Sequence, residues 1–257
     1  MTISGEYLSE IIATYLLVFF RIAAFISILP VFNSKTIPIT SRLGLAIFIT
    51  AIIVPGLPNN YVIDPFSVQT VVLIANQILI GLLIGFSVRI IFSALETGGY
   101  MIGQTMGLGF AQMMDPANGV TIPVVSQFYT VLATLVFLLL NGHLLMLGVL
   151  VESFSIIPVG GNGLSDDGLW TLIEWSSWIF KGAVMIALPA VGALLIVNVA
   201  FGVMMRAAPQ LNIFSIGFPI SLMLGLFFIF ITLPMFLPQF TQLLDATILS
   251  IGDIIRM

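Results

Sequence analysis

The sequence predicts an all-α, polytopic helical membrane protein whose antiparallel helical hairpins pack into a larger helical assembly. Three observations carry that prediction. Of 257 residues, 60% are hydrophobic and 7% are charged, where an ordinary soluble domain carries about 25% charged residues. A chain of this size cannot hide so much apolar side chain from water. The apolar residues fall into long blocks, most of them near or above the roughly 20 residues that cross a bilayer core as a helix. The segments between blocks collect proline, glycine and short polar residues, which favour turns.

Six blocks follow in order along a single membrane domain, 1–257. Ile11 to Phe32 is long enough to span, although Arg21 sits near its middle. Leu43 to Leu57 is short for a span and is closed by Pro55 and Pro58. Val68 to Leu95 suffices for one crossing, and Val120 to Phe154 exceeds one. Leu169 to Met205 and Ile213 to Phe240 complete the set. The turn segments are Asn33 to Arg42, Asn59 to Ser67, Glu96 to Gly119, Ser155 to Gly168 and Arg206 to Asn212. The last is so short that its neighbours should form an antiparallel hairpin, 169–240. With the N-terminus outside, the cytoplasmic segments hold Lys35, Arg42 and Arg206, the bias expected of the inner side. The first residues, with Glu6 and Glu10 and no basic n-region, are not expected to form a cleavable signal.

Several chemistries have no residues to work with. There are no cysteines and one histidine, so thiolate sites and two-histidine metal motifs are excluded and no metal site or cofactor is expected. No zinc-protease motif, nucleophile elbow or phosphate loop is present. No catalytic residue is assigned. A net charge of −4 without any basic cluster gives no footprint for nucleic acid.

Charges inside apolar blocks cost several kcal/mol unless paired or wet. Arg21, Arg89 and Lys181 are such charges; a proton or ion relay competes with subunit packing, local pairing or snorkelling. His143, after Asn141-Gly142, reads either as a proton shuttle or as a packing residue. The segment from Gly98 to Asp115 is the most unusual. Gly99, Gly103 and Gly107 recur every four residues, which on a helix makes a stripe where another backbone approaches closely. The segment also carries Met101, Met106, Phe110, Met113 and Met114. One reading is a glycine-packed hairpin. The other is a deformable seal of flexible methionines and a phenylalanine.

The run Met205-Arg206-Ala207-Ala208-Pro209-Gln210-Leu211-Asn212-Ile213-Phe214, followed by Gly217-Phe218-Pro219, resembles the signature of the FliR family of flagellar and type III secretion export-gate subunits. Arg21 with Pro30 and Phe32, the glycine run ending in Asp115-Pro116, Ser126-Gln127-Phe128 and Asn141-Gly142-His143 fit the same family. The resemblance covers nearly the whole chain. It implies a non-enzymatic subunit of a flagellar type III export gate in the bacterial inner membrane, at the flagellar basal body, helping to form and seal a channel for unfolded substrates. It implies FliP-like, FliQ-like and FlhB-like membrane partners, exported polypeptides and membrane lipid, in an array partly above the bilayer plane. It assigns a channel plug to about Gly103 to Gly119, with Met106, Phe110, Met113 and Met114 as its bulky residues. The tip formed by Arg206, Pro209, Gln210 and Asn212 is implied to face the cytoplasm and meet a partner. A secondary transporter, which should show internal symmetry and a polar midplane site, and a purely structural scaffold remain the alternatives.

Overall fold

The computed structural model describes residues 5–33, 37–57, 67–109, 123–161, 163–207 and 213–256. Every regular element among them is helical: α1 (Gly5–Ile28), α2 (Ile39–Ile53) with a 3-10 turn (Val54–Gly56), α3 (Val68–Thr105), α4 (Val124–Leu139), α5 (Gly142–Ile156), α6 (Asp166–Ser176), α7 (Trp178–Ala207) and α8 (Ile213–Arg256). Five stretches of these helices are long and apolar enough to cross a membrane, and α4 with α5 make a sixth that is broken. The apolar blocks of the sequence therefore become membrane-competent helices.

Their ends differ from the sequence expectation in several places, and the fifth block, Leu169 to Met205, breaks at Ser177 between α6 and α7. The segment after Leu95 does not turn at once: α3 runs on through Thr105. Gly98, Gly99 and Gly103 each cost helix propensity, but the first two lie where a neighbouring backbone comes close. A methyl group on Gly98 would lie 3.1 Å from the Ala183 carbonyl oxygen, and one on Gly99 would lie 2.8 Å from Ser126 Cα. The overlong fourth block breaks at Asn141, which adopts the left-handed conformation (φ 54°) that asparagine tolerates better than most residues. Gly142 then sits against the Phe137 ring, 2.5 Å from where its own side chain would start. The last helix continues past Phe240 to Arg256 despite Pro219, Pro234 and Pro238. Its extension carries buried Leu243, Leu244, Ile251, Ile254 and Ile255, a packed apolar face that holds it helical. At 38 and 44 residues, α3 and α8 have contour lengths of about 57 and 66 Å, well beyond one hydrocarbon core.

The helices group into two compact units, each assembled from separate stretches of chain. One comprises Met1–Ile90, Phe137–Ser176 and Ala246–Met257. In it α1 and the first part of α3 run side by side in the same direction. Gly81 is pressed against the Arg21 carbonyl oxygen, and Gly85 against Ile28 and the Phe25 carbonyl oxygen. Gly168 at the start of α6 similarly meets the Ile254 carbonyl oxygen of α8, 2.7 Å from where a Cβ would sit.

The other unit comprises Ile91–Val136 and Ser177–Asp245. Here α7 and α8 form the antiparallel pair. Gly182 opens onto Leu243, while Pro189 lines a small cavity with Thr232 and Phe236. Phe92 of α3 meets Phe240 edge-on at 6.5 Å, and Phe240 stacks on Phe236 at 6.0 Å.

These contacts make the glycines unequal. Replacing Gly99 by Val forces a side chain into the backbone of α4 and should destabilise the fold by about 1–3 kcal/mol. Gly103 has only ordinary contacts, 3.7 Å from Val125, so Gly103→Ala should leave stability unchanged or raise it by up to about 1 kcal/mol. Thermal melting of the two variants in detergent checks the contrast, and equal melting temperatures would remove it.

Candidate functional site

The most elaborate polar cluster surrounds Arg21. Its side chain is completely buried (0% exposed) in the apolar run of α1. Its Nε donates to Gln77 Oε1 of α3 at 2.7 Å. Nη1 donates to the Ser153 carbonyl (3.0 Å) and to Ser153 Oγ (3.1 Å), and Nη2 donates to the Ile157 carbonyl (2.9 Å). The guanidinium also lies over the Phe154 ring, 4.2 Å from its centroid. Ser153 and Ile157 bracket the end of α5: the Ser153 carbonyl also accepts the Ile157 N–H at 2.9 Å, while carbonyls beyond it lack a helical donor. Arg21 thus caps a helix C-terminus, the end at which the backbone dipole favours a cation. Gln77 extends the clamp by donating Nε2 to the Val159 carbonyl at 3.2 Å. Of the two readings of Arg21, local pairing is the one the geometry realises. Lys181 is exposed, with its ammonium 5.5 Å from the Trp178 ring centroid, as a snorkelling lysine would be. His143 is half-buried, and its Nδ1 has no hydrogen-bond partner among the described residues.

The end of α3 is the second candidate. The Gly107 N–H bonds to the Gln104 carbonyl (3.0 Å) and the Leu108 N–H to the Gly103 carbonyl (3.1 Å), with Gly107 at φ 88°. Together these make a Schellman cap, whose left-handed position favours glycine. Gly107 therefore terminates the helix, and the helical face carries Gly99 and Gly103. Asn198 of α7 donates to the Thr105 carbonyl at 3.3 Å. Met106 is 1% exposed and lies against Gly225 of α8. Phe110, Met113 and Met114 lie outside the described residues. At the third candidate, Arg206 is exposed in the last turn of α7, and Pro209, Gln210 and Asn212 lie outside the described residues.

A family described as bacterial export proteins, family 1, matches residues 12–247. The chain belongs to that family. It is similar to the flagellar biosynthetic protein FliR of Escherichia coli (strain K12), 39% identical over 91% of this chain and 90% of that protein. The protein of the same name from Aquifex aeolicus is 33% identical over 88% of this chain and 87% of its own length. That from Bacillus subtilis is 26% identical over 96% of each. This bacterial export protein is accordingly a component of the flagellar type III export apparatus, and its apolar helices make it a membrane-embedded one.

Within this export protein, sequence reasoning singled out Arg21 but missed Gln77 and Ser153. Each stands beside another polar residue, Gln77 after Asn76 and Ser153 after Glu152, so neither stood out from its surroundings. Gly225 gave no signal either.

The Arg21 cluster yields a direct prediction. Arg21→Leu removes a donor from the Gln77 amide oxygen and from the Ile157 carbonyl, and leaves the Ser153 carbonyl with the Ile157 N–H alone. Arg21→Lys keeps the charge but loses the planar fork that reaches several acceptors at once. Each should cost about 1–3 kcal/mol, the usual result of leaving a buried polar group without its partner. Thermal unfolding of the purified protein, with its accumulation in membranes, provides the measurement. Parent-like melting of Arg21→Leu would show that α5 needs no such cap.

Proposed function

We propose that the chain is a non-enzymatic subunit of a flagellar type III export gate in the bacterial inner membrane, at the flagellar basal body. There it helps to form and seal the channel that passes unfolded substrates. The family match along residues 12–247 carries this reading. The uncovered faces of the long helices support it. Leu188, Leu195, Ile196, Val199 and Val203 on α7 are each more than half exposed, as are Met223, Leu226, Phe227 and Phe230 on α8. Helical stripes of this kind are covered by lipid or by other helices, and FliP-like, FliQ-like and FlhB-like subunits are the partners proposed for them. A secondary transporter would be built around a polar midplane site. A pure scaffold would carry the same faces without a seal.

In this reading the seal consists of Met106, Phe110, Met113 and Met114, with Gly99 providing close packing and Gly107 a helix stop at its base. A conduit wide enough for a polypeptide must be closed at rest. Methionine and phenylalanine exclude water without specific hydrogen bonds and adapt to varied chains. Replacing the four together by alanine should raise the resting permeability of membranes containing the assembled gate to small ions, while assembly survives. An assembled quadruple variant that stays as tight as the parent leaves only the scaffold.

The tip formed by Arg206, Pro209, Gln210 and Asn212 is proposed to face the cytoplasm and contact a partner. The chain has no cysteines, so Gln210→Cys gives a single labelling site. It should react with a membrane-impermeant maleimide from the cytoplasmic side when partners are absent and be shielded when they are present. Labelling from the periplasmic side would reverse the proposed topology.

A further inference from the structure

Gly225 lies in an apolar stretch of α8 with nothing in the surrounding sequence to distinguish it. In the structure it forms a socket. A methyl group on Gly225 would lie 2.7 Å from both Cε and Sδ of Met106, closer than real Cβ contacts come. Gly192 and Gly202 on neighbouring α7 would meet nothing within 4 Å, while Gly182 would meet Ala94 Cβ at 3.0 Å, so a close fit is not common to all glycines of the hairpin. Met106 occupies the cap position of α3, where the chain leaves the helix through the left-handed Gly107. The Asn198 bond to the Thr105 carbonyl ties the same helix end to α7. Met106 is held as completely as a core residue although it stands at the edge of the segment assigned to the seal.

We propose that Gly225 is a positioning residue of the export gate: its missing side chain seats Met106 and thereby fixes the C-terminal end of α3 against α8. The role rests on the reading of the chain as an export-gate subunit. Methionine suits the seat because its unbranched thioether can lie flat over a bare backbone, where a β-branched side chain could not. Glycine suits it because any side chain there competes for the volume that Met106 fills. The two residues form one contact, so a change at one should be relieved by a change at the other.

The test uses the assembled gate and a reporter of where α3 ends. The position of a Gly103 Cβ lies 3.7 Å from Val125 Cβ, a separation that suits a disulfide. Without native cysteines, a Gly103→Cys/Val125→Cys bridge is unambiguous. In the parent background this bridge should form readily on oxidation. Gly225→Leu should slow its formation, and in a chain without the reporter reduce substrate secretion, each by about tenfold, as for an overpacked contact. Adding Met106→Ala should restore both toward the parent, because the leucine then occupies the vacated space. Gly225→Ala, alone and with Met106→Ala, should repeat the pattern at smaller size and decides the matter if the leucine variant does not accumulate. Parent-like behaviour of both Gly225 variants overturns the proposal. So does a double variant no better than the single one. Bridge formation that responds while secretion does not also overturns it, leaving a packing contact without a role in export. A strain lacking the chain that still secretes would instead remove the export-gate reading itself.

Discussion

A guanidinium enclosed by apolar helices must have its donors met from within the protein, and the end of a helix has carbonyls that must be met as well. Arg21 satisfies both requirements at once. Its donors reach Gln77 on α3, the Ser153 carbonyl and hydroxyl, and the Ile157 carbonyl at the point where α5 stops. In an apolar medium no water is available to substitute, so either group alone would be costly. The geometry also requires α3 to come close to α1, which Gly81 permits by lacking a side chain beside the Arg21 carbonyl. One charged residue thus sets the packing of α1, α3 and α5. That explains how an arginine is tolerated in the middle of a first apolar block.

The same constraint governs the glycines. Between helices in lipid there is little hydrophobic gain from association, and close approach of backbones takes its place. Gly85 against Phe25 and Ile28, Gly98 against Ala183 and Gly99 against Ser126 are such approaches. Glycine recurring at intervals of four reads from sequence as a uniform stripe, yet the structure divides the work. Gly99 makes a close contact, Gly103 leaves room, and Gly107 ends the helix in a left-handed cap. Spacing along a chain identifies a helical face. It carries no information about where the helix stops, because the stop depends on the carbonyls of the last turn finding donors.

The fold class and the number of apolar blocks were legible because hydrophobicity and length follow directly from composition. The ends were less so. Proline and glycine serve as stop signals in isolated chains, but Pro219, Pro234 and Pro238 lie inside α8, where packing of Leu243, Leu244 and Ile251 beyond them keeps the helix intact. The break inside the fourth block was signalled by Asn141-Gly142, a turn dipeptide, although the histidine after it drew the attention. At the candidate sites Arg21 stood out because a charge in an apolar run has to be explained. Its partners Gln77 and Ser153 did not stand out, since a neutral polar residue acquires meaning only when the charge it meets is known.

Gly225 shows the limit of that legibility most clearly. A single glycine in a long apolar helix reads as a propensity cost of about 1 kcal/mol, and nothing local explains why it is accepted. The explanation lies 119 residues away in sequence, at Met106. Met106 in turn reads as one of several loop methionines, whereas it is buried at the C-terminal cap of α3. The C-terminal end of α3 thus meets α8 through a contact that neither residue reveals alone. In the proposed gate, a seal that yields to passing polypeptides needs an anchored end. Deformable residues can close a conduit reproducibly only if the element they grow from is held in one place. A methionine seated on bare backbone provides that hold without any polar group that would have to be satisfied inside the membrane.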